Sequence, residues 1–129
     1  MSQKSKGCNA ERELVHMFRN NGWAPLRVAG SGSAHMPCPD IIAGNGIRRL
    51  AIEAKSTKSK AVYIPIEEIR QLERFALLFG SEAWVGVRFN KEPWYFLKPV
   101  DIKVTEKNYA VSLAHAKRKG RSFEQIIHG

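Results

Sequence analysis

The chain has 129 residues, of which 43% are hydrophobic and 26% are charged. These proportions are typical of a globular protein, and a chain of this length can bury a core without disulfides. A disordered polyelectrolyte, a fibrous protein and a disulfide scaffold are therefore excluded. Twenty-one Lys and Arg against twelve Asp and Glu give a net charge of +9, which favours binding to polyanions and above all to nucleic acid.

Hydropathy along the chain indicates a protein of the cytoplasm. No apolar run approaches the roughly 18–20 residues that a membrane span needs, and the lysine-containing N-terminus lacks the apolar segment of a secretion signal. Cys8 and Cys38 have no zinc-site spacing and are expected to be free thiols. We expect one domain over residues 1–129, with residues 1–6 and the last few flexible, in a cytoplasmic, nucleoid-associated protein.

The first half of the chain predicts a helix, a strand and a long loop. Apolar residues at spacings of three and four indicate a helix that begins near Asn9 and ends at residues 20–22. Glu11 then lies in its first turn. Residues 23–28 predict a short strand, and the Gly-rich stretch 30–39 predicts a loop. This loop is either a plain connector or an arm that contacts the DNA backbone.

The rest of the chain predicts a hairpin, a helix, two strands and a short helix, in that order, at residues 39–55, 66–80, 83–89, 94–97 and 123–127. Trp84 and the run Trp94-Tyr95-Phe96 are more typical of a core than of a surface that stacks bases. A basic cluster at residues 117–121 precedes the last helix. No internal repeat is present.

The hairpin carries the residues of chemical interest. With Asn45-Gly46 as a two-residue type I′ turn, Asp40 is expected opposite Ala51. Because side chains alternate along strands, Asp40, Glu53 and Lys55 then project from one face, with the two carboxylates as diagonal neighbours. The other face is wholly apolar and is expected to pack into the core through Ile41, Ala43, Leu50, Ile52 and Ala54.

Two carboxylates brought together on one face repel unless a cation lies between them. Hard oxygen ligands favour Mg²⁺, with Mn²⁺ as a substitute. Such an ion polarises a phosphorus centre and lowers the pKa of a bound water, and Lys55 is placed to orient that water or to stabilise developing negative charge. Glu11 is the natural third carboxylate if its helix packs at this end of the sheet, with Arg12 beside it to hold a phosphate.

A purely structural interpretation remains open for the same residues. Asp40, Glu53 and Lys55 would then form a solvated strand face with an incidental ion pair. Glu11 would only complement the dipole of its helix.

The spacing of Pro39-Asp40 and Glu53-Ala54-Lys55 resembles the PD-(D/E)xK nuclease signature. Together with residues 7–14 and 27–33, the chain is similar to the archaeal Holliday junction resolvases over about residues 6–100. The resemblance implies an α/β, restriction-endonuclease-like fold with a central mixed sheet of about five strands flanked by helices. It also implies a homodimer that resolves four-way DNA junctions in recombination and repair by paired, Mg²⁺-dependent incision.

The resemblance assigns roles residue by residue. It implies metal ligands at Glu11, Asp40 and Glu53, catalytic assistance by Lys55, and roles in cleavage for Arg12 and Ser31. The residues expected to contact DNA are Lys4, Lys6, Arg12, Arg27, Ser31, Ser33, Lys58 and Lys60. Many relatives have a glutamine early in the second helix, where this chain has Glu67-Glu68, so no role is carried over. The segment after Lys98 shows no motif match.

Two other functions remain open, and the dimer interface has two candidates. A general PD-(D/E)xK nuclease of restriction or repair type would use the same chemistry, but it would not prefer branched DNA. A basic DNA-binding protein that does not cut would need no divalent metal. Exposed apolar residues for a two-fold dimer interface are expected in the second helix and in strand 94–97.

Overall fold

The computed structural model describes residues 3–29 and 38–129, with side chains in the first helix from residue 9 onward. Within these ranges there are four α-helices: α1 (Gln3–Asn20), α2 (Ile66–Phe79), α3 (Leu113–Lys119) and α4 (Phe123–His128). The strands are β1 (Ala24–Arg27), β2 (Ile41–Gly44), β3 (Arg49–Thr57), β4 (Ala61–Pro65), β5 (Glu82–Phe89), β6 (Trp94–Leu97), β7 (Lys103–Val104) and β8 (Asn108–Ser112).

The strands form two sheets. The larger has five strands in the order β1-β2-β3-β5-β6, and it is mixed because β3 and β5 are parallel while the other pairs are antiparallel. The smaller has the order β4-β8-β7. The predicted α/β fold with a central mixed sheet of five strands is confirmed. The smaller sheet was not predicted, since its strands carry no clear alternation.

The β2–β3 connection differs from the predicted tight turn. Four residues, 45–48, separate the strands, and the Asn45 side chain accepts hydrogen bonds from the N–H groups of Ile47 and Arg48 at 2.9 and 2.7 Å. Consequently Ile42, and not Asp40, lies opposite Ala51. The predicted register was therefore wrong by two residues. A shift of two preserves the alternation, so the predicted faces are still correct.

The first helix begins earlier than predicted. It starts at Gln3 instead of Asn9, and its first turn contains no acidic residue. Glu11 therefore lies in the interior of α1, so the interpretation that it complements the helix N-terminus does not apply. The predicted end is confirmed: α1 stops at Asn20, and Gly22 adopts a left-handed conformation with φ 83°, which glycine tolerates without strain.

The central sheet is covered on both faces. The predicted apolar face of β2 and β3 packs against α1 and α4 in a cluster that includes Leu14, Phe18 and Phe123. The opposite face packs against α2 through Ile69, Leu72 and Ala76. Because α1 and α2 lie on opposite faces, the end of β3 is bordered by both helices.

Strand β6 lies in the core. Trp94, Phe96 and Leu97 are all at most 2% exposed, so the prediction that this strand offers exposed apolar residues for a dimer interface is wrong. The predicted core role of these aromatic residues and of Trp84 is confirmed. Helix α2 instead exposes apolar side chains at its C-terminal end.

The C-terminal segment is part of this fold. Strand β8 pairs with β4, and Arg121 pairs with Phe96 of β6. The predicted short helix near residues 123–127 is α4. Within the described ranges no helix is both long enough and apolar enough to cross a membrane. Cys38 is a free thiol.

Some sequence predictions lie outside the described residues. These are Ser31 and Ser33, the conformation of the loop at positions 30–37, and the side chains of Lys4 and Lys6.

Candidate active site

Asp40 immediately precedes β2, and its backbone is hydrogen-bonded to Val28 on one side and to Ile52 of β3 on the other. Its carbonyl accepts a hydrogen bond from the N–H of Val28 at 2.8 Å, and its own N–H donates to the carbonyl of Ile52 at 3.0 Å. Its carboxylate oxygen Oδ2 accepts a hydrogen bond from the N–H of Ala54 at 2.8 Å. The side chain is therefore fixed against β3.

Glu53, on β3, is a neighbour of Asp40, and the charge of the Asp40 carboxylate acts on the Glu53 carboxyl group. The Glu53 side chain is only 12% exposed. Burial first, and then the negative charge of Asp40, raise the pKa of Glu53 to about 8. The two carboxylates thus share a half-buried position in which both cannot easily be ionised together.

Lys55 supplies positive charge next to this pair. Its Nζ lies 3.6 Å from Oε2 of Glu53 and 3.2 Å from Oε1 of Glu68 in α2. Burial alone would lower the pKa of Lys55, but the carboxylates of Glu53, Glu68 and Asp40 together raise it above its ordinary value. The ammonium group is therefore charged at neutral pH.

Glu11 approaches the site from α1. Its Oε1 lies 2.9 Å from Nε of Arg27 in β1. Burial, followed by the charge of Asp40, raises the pKa of Glu11 against the opposing effect of Arg27. Glu11 is thus within electrostatic reach of Asp40, while its carboxylate is held by Arg27.

The donor set fits a hard divalent cation. Asp40 and Glu53 offer carboxylate oxygens, which Mg²⁺ and Mn²⁺ prefer, and a cation between them would relieve the repulsion between two neighbouring carboxylates. In the described ranges, no three acidic, His or Cys side chains are arranged to hold a metal ion together. The structure therefore joins two of the three predicted ligands and leaves the third alongside.

The described DNA-contact candidates occupy different positions. Arg12 is exposed on α1, and Lys58 and Lys60 are exposed in the loop that follows β3. Arg27, in contrast, is 30% exposed and is paired with Glu11. The ion pair with Glu11 thus places Arg27 beside the site carboxylates.

Two site contacts were missed by sequence reasoning. The pairing of Glu11 with Arg27 joins residues from α1 and β1, and the pairing of Lys55 with Glu68 joins β3 and α2. The sequence signals for Glu68 were its place in the first turn of a predicted helix and its nearness to the glutamine that many relatives have there. The adjacent Glu67 shares both signals. Such contacts depend on packing between elements.

Comparison with known proteins identifies the family. The family model for archaeal Holliday junction resolvases (Hjc) matches residues 2–129. The chain belongs to this family. The match includes the segment after Lys98, for which the motifs showed no likeness.

Relatives of this chain carry consistent names. The crossover junction endodeoxyribonuclease Hjc of Archaeoglobus fulgidus is 44% identical over 108 residues, which cover 84% of this chain and 79% of that protein. The Hjc of Sulfolobus acidocaldarius is 32% identical over 129 residues, covering 98% of this chain and 90% of that protein. The solved structure of Archaeoglobus fulgidus Hjc, titled a Holliday junction resolvase, matches with a TM-score of 0.87 and 37% identity, over 93% of this chain and 97% of that one.

Proposed function

We propose that this chain cuts four-way DNA junctions by metal-dependent phosphodiester hydrolysis, and that Asp40 and Glu53 hold the metal. The observation that carries the proposal is the Asp40–Glu53 pair with the Lys55 ammonium 3.6 Å from Glu53. The family match and the names of the relatives favour junction DNA as the substrate.

A bound Mg²⁺, or Mn²⁺ in its place, would polarise the scissile phosphate and lower the pKa of a coordinated water. Asp40 would present its carboxylate from a position fixed by the N–H of Ala54. Glu11, which lies within electrostatic reach of Asp40, would complete the ligand set on separating from Arg27. Lys55 would stabilise the negative charge that develops on the phosphate.

The DNA backbone would pass close to the exposed end of β3. Lys58 and Lys60 follow this strand directly and are exposed, so they are placed to neutralise phosphates next to the scissile bond. Arg12 and Ser31 are assigned the cleavage roles that the resemblance implies, and Lys4, Lys6 and Ser33 the remaining DNA contacts.

Resolution of a four-way junction needs two nicks, whereas the described part of this chain offers one cluster of site carboxylates. A two-fold homodimer supplies the second site in the required orientation. We assign its interface to the C-terminal apolar patch of α2, which consists of Leu77, Leu78 and Phe79. These side chains are 82%, 78% and 47% exposed, and contiguous exposed apolar residues mark interaction sites.

The test compares cleavage of four-way junction, linear duplex and single-stranded DNA, each with Mg²⁺ and with EDTA. We expect paired incision of the junction alone, and only with the metal. Equal cleavage of duplex would indicate a general nuclease of restriction or repair type. Junction binding without cleavage under any metal condition would indicate a DNA-binding protein that does not cut.

A further inference from the structure

Glu68 contacts the site from outside the nuclease signature. It lies in the first turn of α2, and its Oε1 is 3.2 Å from Nζ of Lys55. The position of this turn is set by the core, because Ile69 and Leu72 next along the helix are buried against the sheet. Glu68 is therefore presented to Lys55 by a rigid element.

Lys55 is held by carboxylates from two elements. One contact is with Glu53 on its own strand at 3.6 Å, and the shorter one is with Glu68 on α2 at 3.2 Å. A lysine side chain has four rotatable bonds and loses substantial rotamer entropy when it is held in one conformation. If Glu53 were its only partner, the ammonium group would be positioned solely by the carboxylate that is proposed to hold the metal. The contact with Glu68 also fixes the ammonium group relative to α2.

We propose that Glu68 is a positioning residue that holds the ammonium group of Lys55 in place for the cleavage reaction, an inference that rests on the proposed function. It acts through Lys55 and needs no contact with DNA or metal. Partners that orient the ligands of a metal site typically affect activity by about 10- to 100-fold when they are removed, and we expect an effect of similar size for a residue that orients Lys55.

The neighbouring Glu67 provides a matched control. Both acids lie in the first turn of α2, so both complement the helix dipole. Each also lowers the net positive charge of the protein by one. Glu67 is exposed, and the ion pair with Lys55 belongs to Glu68. A merely structural or long-range electrostatic role would therefore be shared by the two residues.

The experiment measures single-turnover junction cleavage with Mg²⁺ at saturating protein, together with the Kd for the junction without metal. E68A should cut about 10-fold or more slowly than E67A, while the two Kd values agree. E68Q should recover most of the rate, because its amide oxygen still accepts a hydrogen bond from the ammonium group. Equal rates for E68A and E67A, or no recovery in E68Q, would overturn the inference.

Thermal unfolding gives a second measurement that does not depend on activity. The losses of stability caused by K55A and E68A should not add up in the K55A/E68A double variant, since the two side chains contact each other. The losses caused by K55A and E67A should add up in the K55A/E67A double variant. Additivity of K55A and E68A would count against the contact. Wild-type protein that fails to cut junctions with Mg²⁺, or K55A at the full rate, would instead overturn the proposed function.

Discussion

The carboxylate of Asp40 accepts a hydrogen bond from the backbone N–H of Ala54 at 2.8 Å, and Ala54 is the residue between Glu53 and Lys55. The first carboxylate of the site is thus attached to the strand segment that carries the second carboxylate and the lysine. Because the donor is a backbone group, the contact does not depend on the side chain at position 54. This hydrogen bond therefore fixes the position of Asp40 relative to Glu53 and Lys55.

Catalysis should separate from binding at this site. D40N, E53Q and K55A should each reduce junction cleavage at least about 100-fold, since they affect metal and phosphate chemistry. Binding should survive, and the two carboxylate variants should bind at least as tightly because they remove negative charge. Cleavage assays with Mg²⁺ and gel shifts in EDTA measure the two properties. E73Q, on the exposed side of α2, is the control, and a parallel loss of binding in the three variants would contradict the assignment.

Without metal, stability should fall as the pH rises through the titration of Glu53. Its pKa is about 8 in the folded protein against an ordinary 4.5, so the folded state binds more protons than the unfolded state between these values. The linkage relation then makes the free energy of unfolding decrease with pH over this window, by up to about 5 kcal/mol.

The E53Q variant tests this directly. In EDTA its melting temperature should exceed that of the wild type by a margin that grows between pH 5 and pH 8. Added Mg²⁺ should stabilise the wild type more than E53Q. E106Q, at an exposed position in the turn between β7 and β8, should follow the wild type. A pH-independent difference between E53Q and wild type would contradict the prediction.

Junction affinity should depend steeply on salt, because phosphate neutralisation releases counterions. The slope of log K against log salt is negative. Replacing Lys58 and Lys60 together by Ala should reduce its magnitude by about 2 if each lysine contacts one phosphate. The matched control is K103A/K107A, which removes the same charge from exposed positions at β7 and the turn after it. Equal slopes for the two double variants would show that the loop after β3 is not on the path of the DNA.

Assembly should depend on the C-terminal apolar patch of α2. L77E/L78E should sediment as a monomer at micromolar concentration while the wild type sediments as a dimer, because a stable interface must bury about 1,200–2,000 Å² and would not tolerate two buried charges. I47E is the control, since Ile47 is 85% exposed in the β2–β3 loop. A dimeric L77E/L78E would place the interface elsewhere.

Mixed dimers test whether each protomer carries one complete site. A dimer of one wild-type and one E53A protomer should nick one strand and rarely resolve the junction. Full resolution by such dimers would contradict a paired arrangement of independent sites.

Arg48 should stabilise the fold in a pH-dependent manner. It donates to both carboxylate oxygens of Glu82, at 2.8 and 2.9 Å, and to the carbonyl of Ile126 at 2.7 Å, and it lies over the ring of Trp23. The hydrogen bond from Arg48 lowers the pKa of Glu82. The contribution of Glu82 is therefore present above its ordinary pKa and is lost as the pH falls through the lowered one.

R48M should destabilise the protein by about 2 kcal/mol at pH 7, and by less at pH 3. Urea unfolding at both pH values measures this, with R70M on the exposed face of α2 as the control. A loss that is the same at pH 3 and pH 7 would show that packing, and not the ion pair, provides the stability.

Much of the local structure was predictable from the sequence because it depends on neighbouring residues. Apolar spacing placed α2 within residues 66–80, and the left-handed Gly80 ends it as predicted. Alternation along β3 placed Glu53 and Lys55 on one face and Ile52 on the other. This assignment survived the incorrect turn, since a shift of two residues changes the partner of each side chain but not its face.

Only the tertiary structure decided the features that depend on contacts between distant segments. The four-residue connection replaced the predicted turn because the side chain of Asn45 caps the loop, and this set the register that joins Asp40 to Glu53. The pairing of Glu11 with Arg27 and of Lys55 with Glu68 required α1 and α2 to pack on opposite faces of the sheet. The sequence by itself thus indicated the candidate residues for the chemistry, because Asp40, Glu53 and Lys55 lie within one short stretch of the chain. Which charges surround them was decided by long-range packing, which local periodicity does not encode.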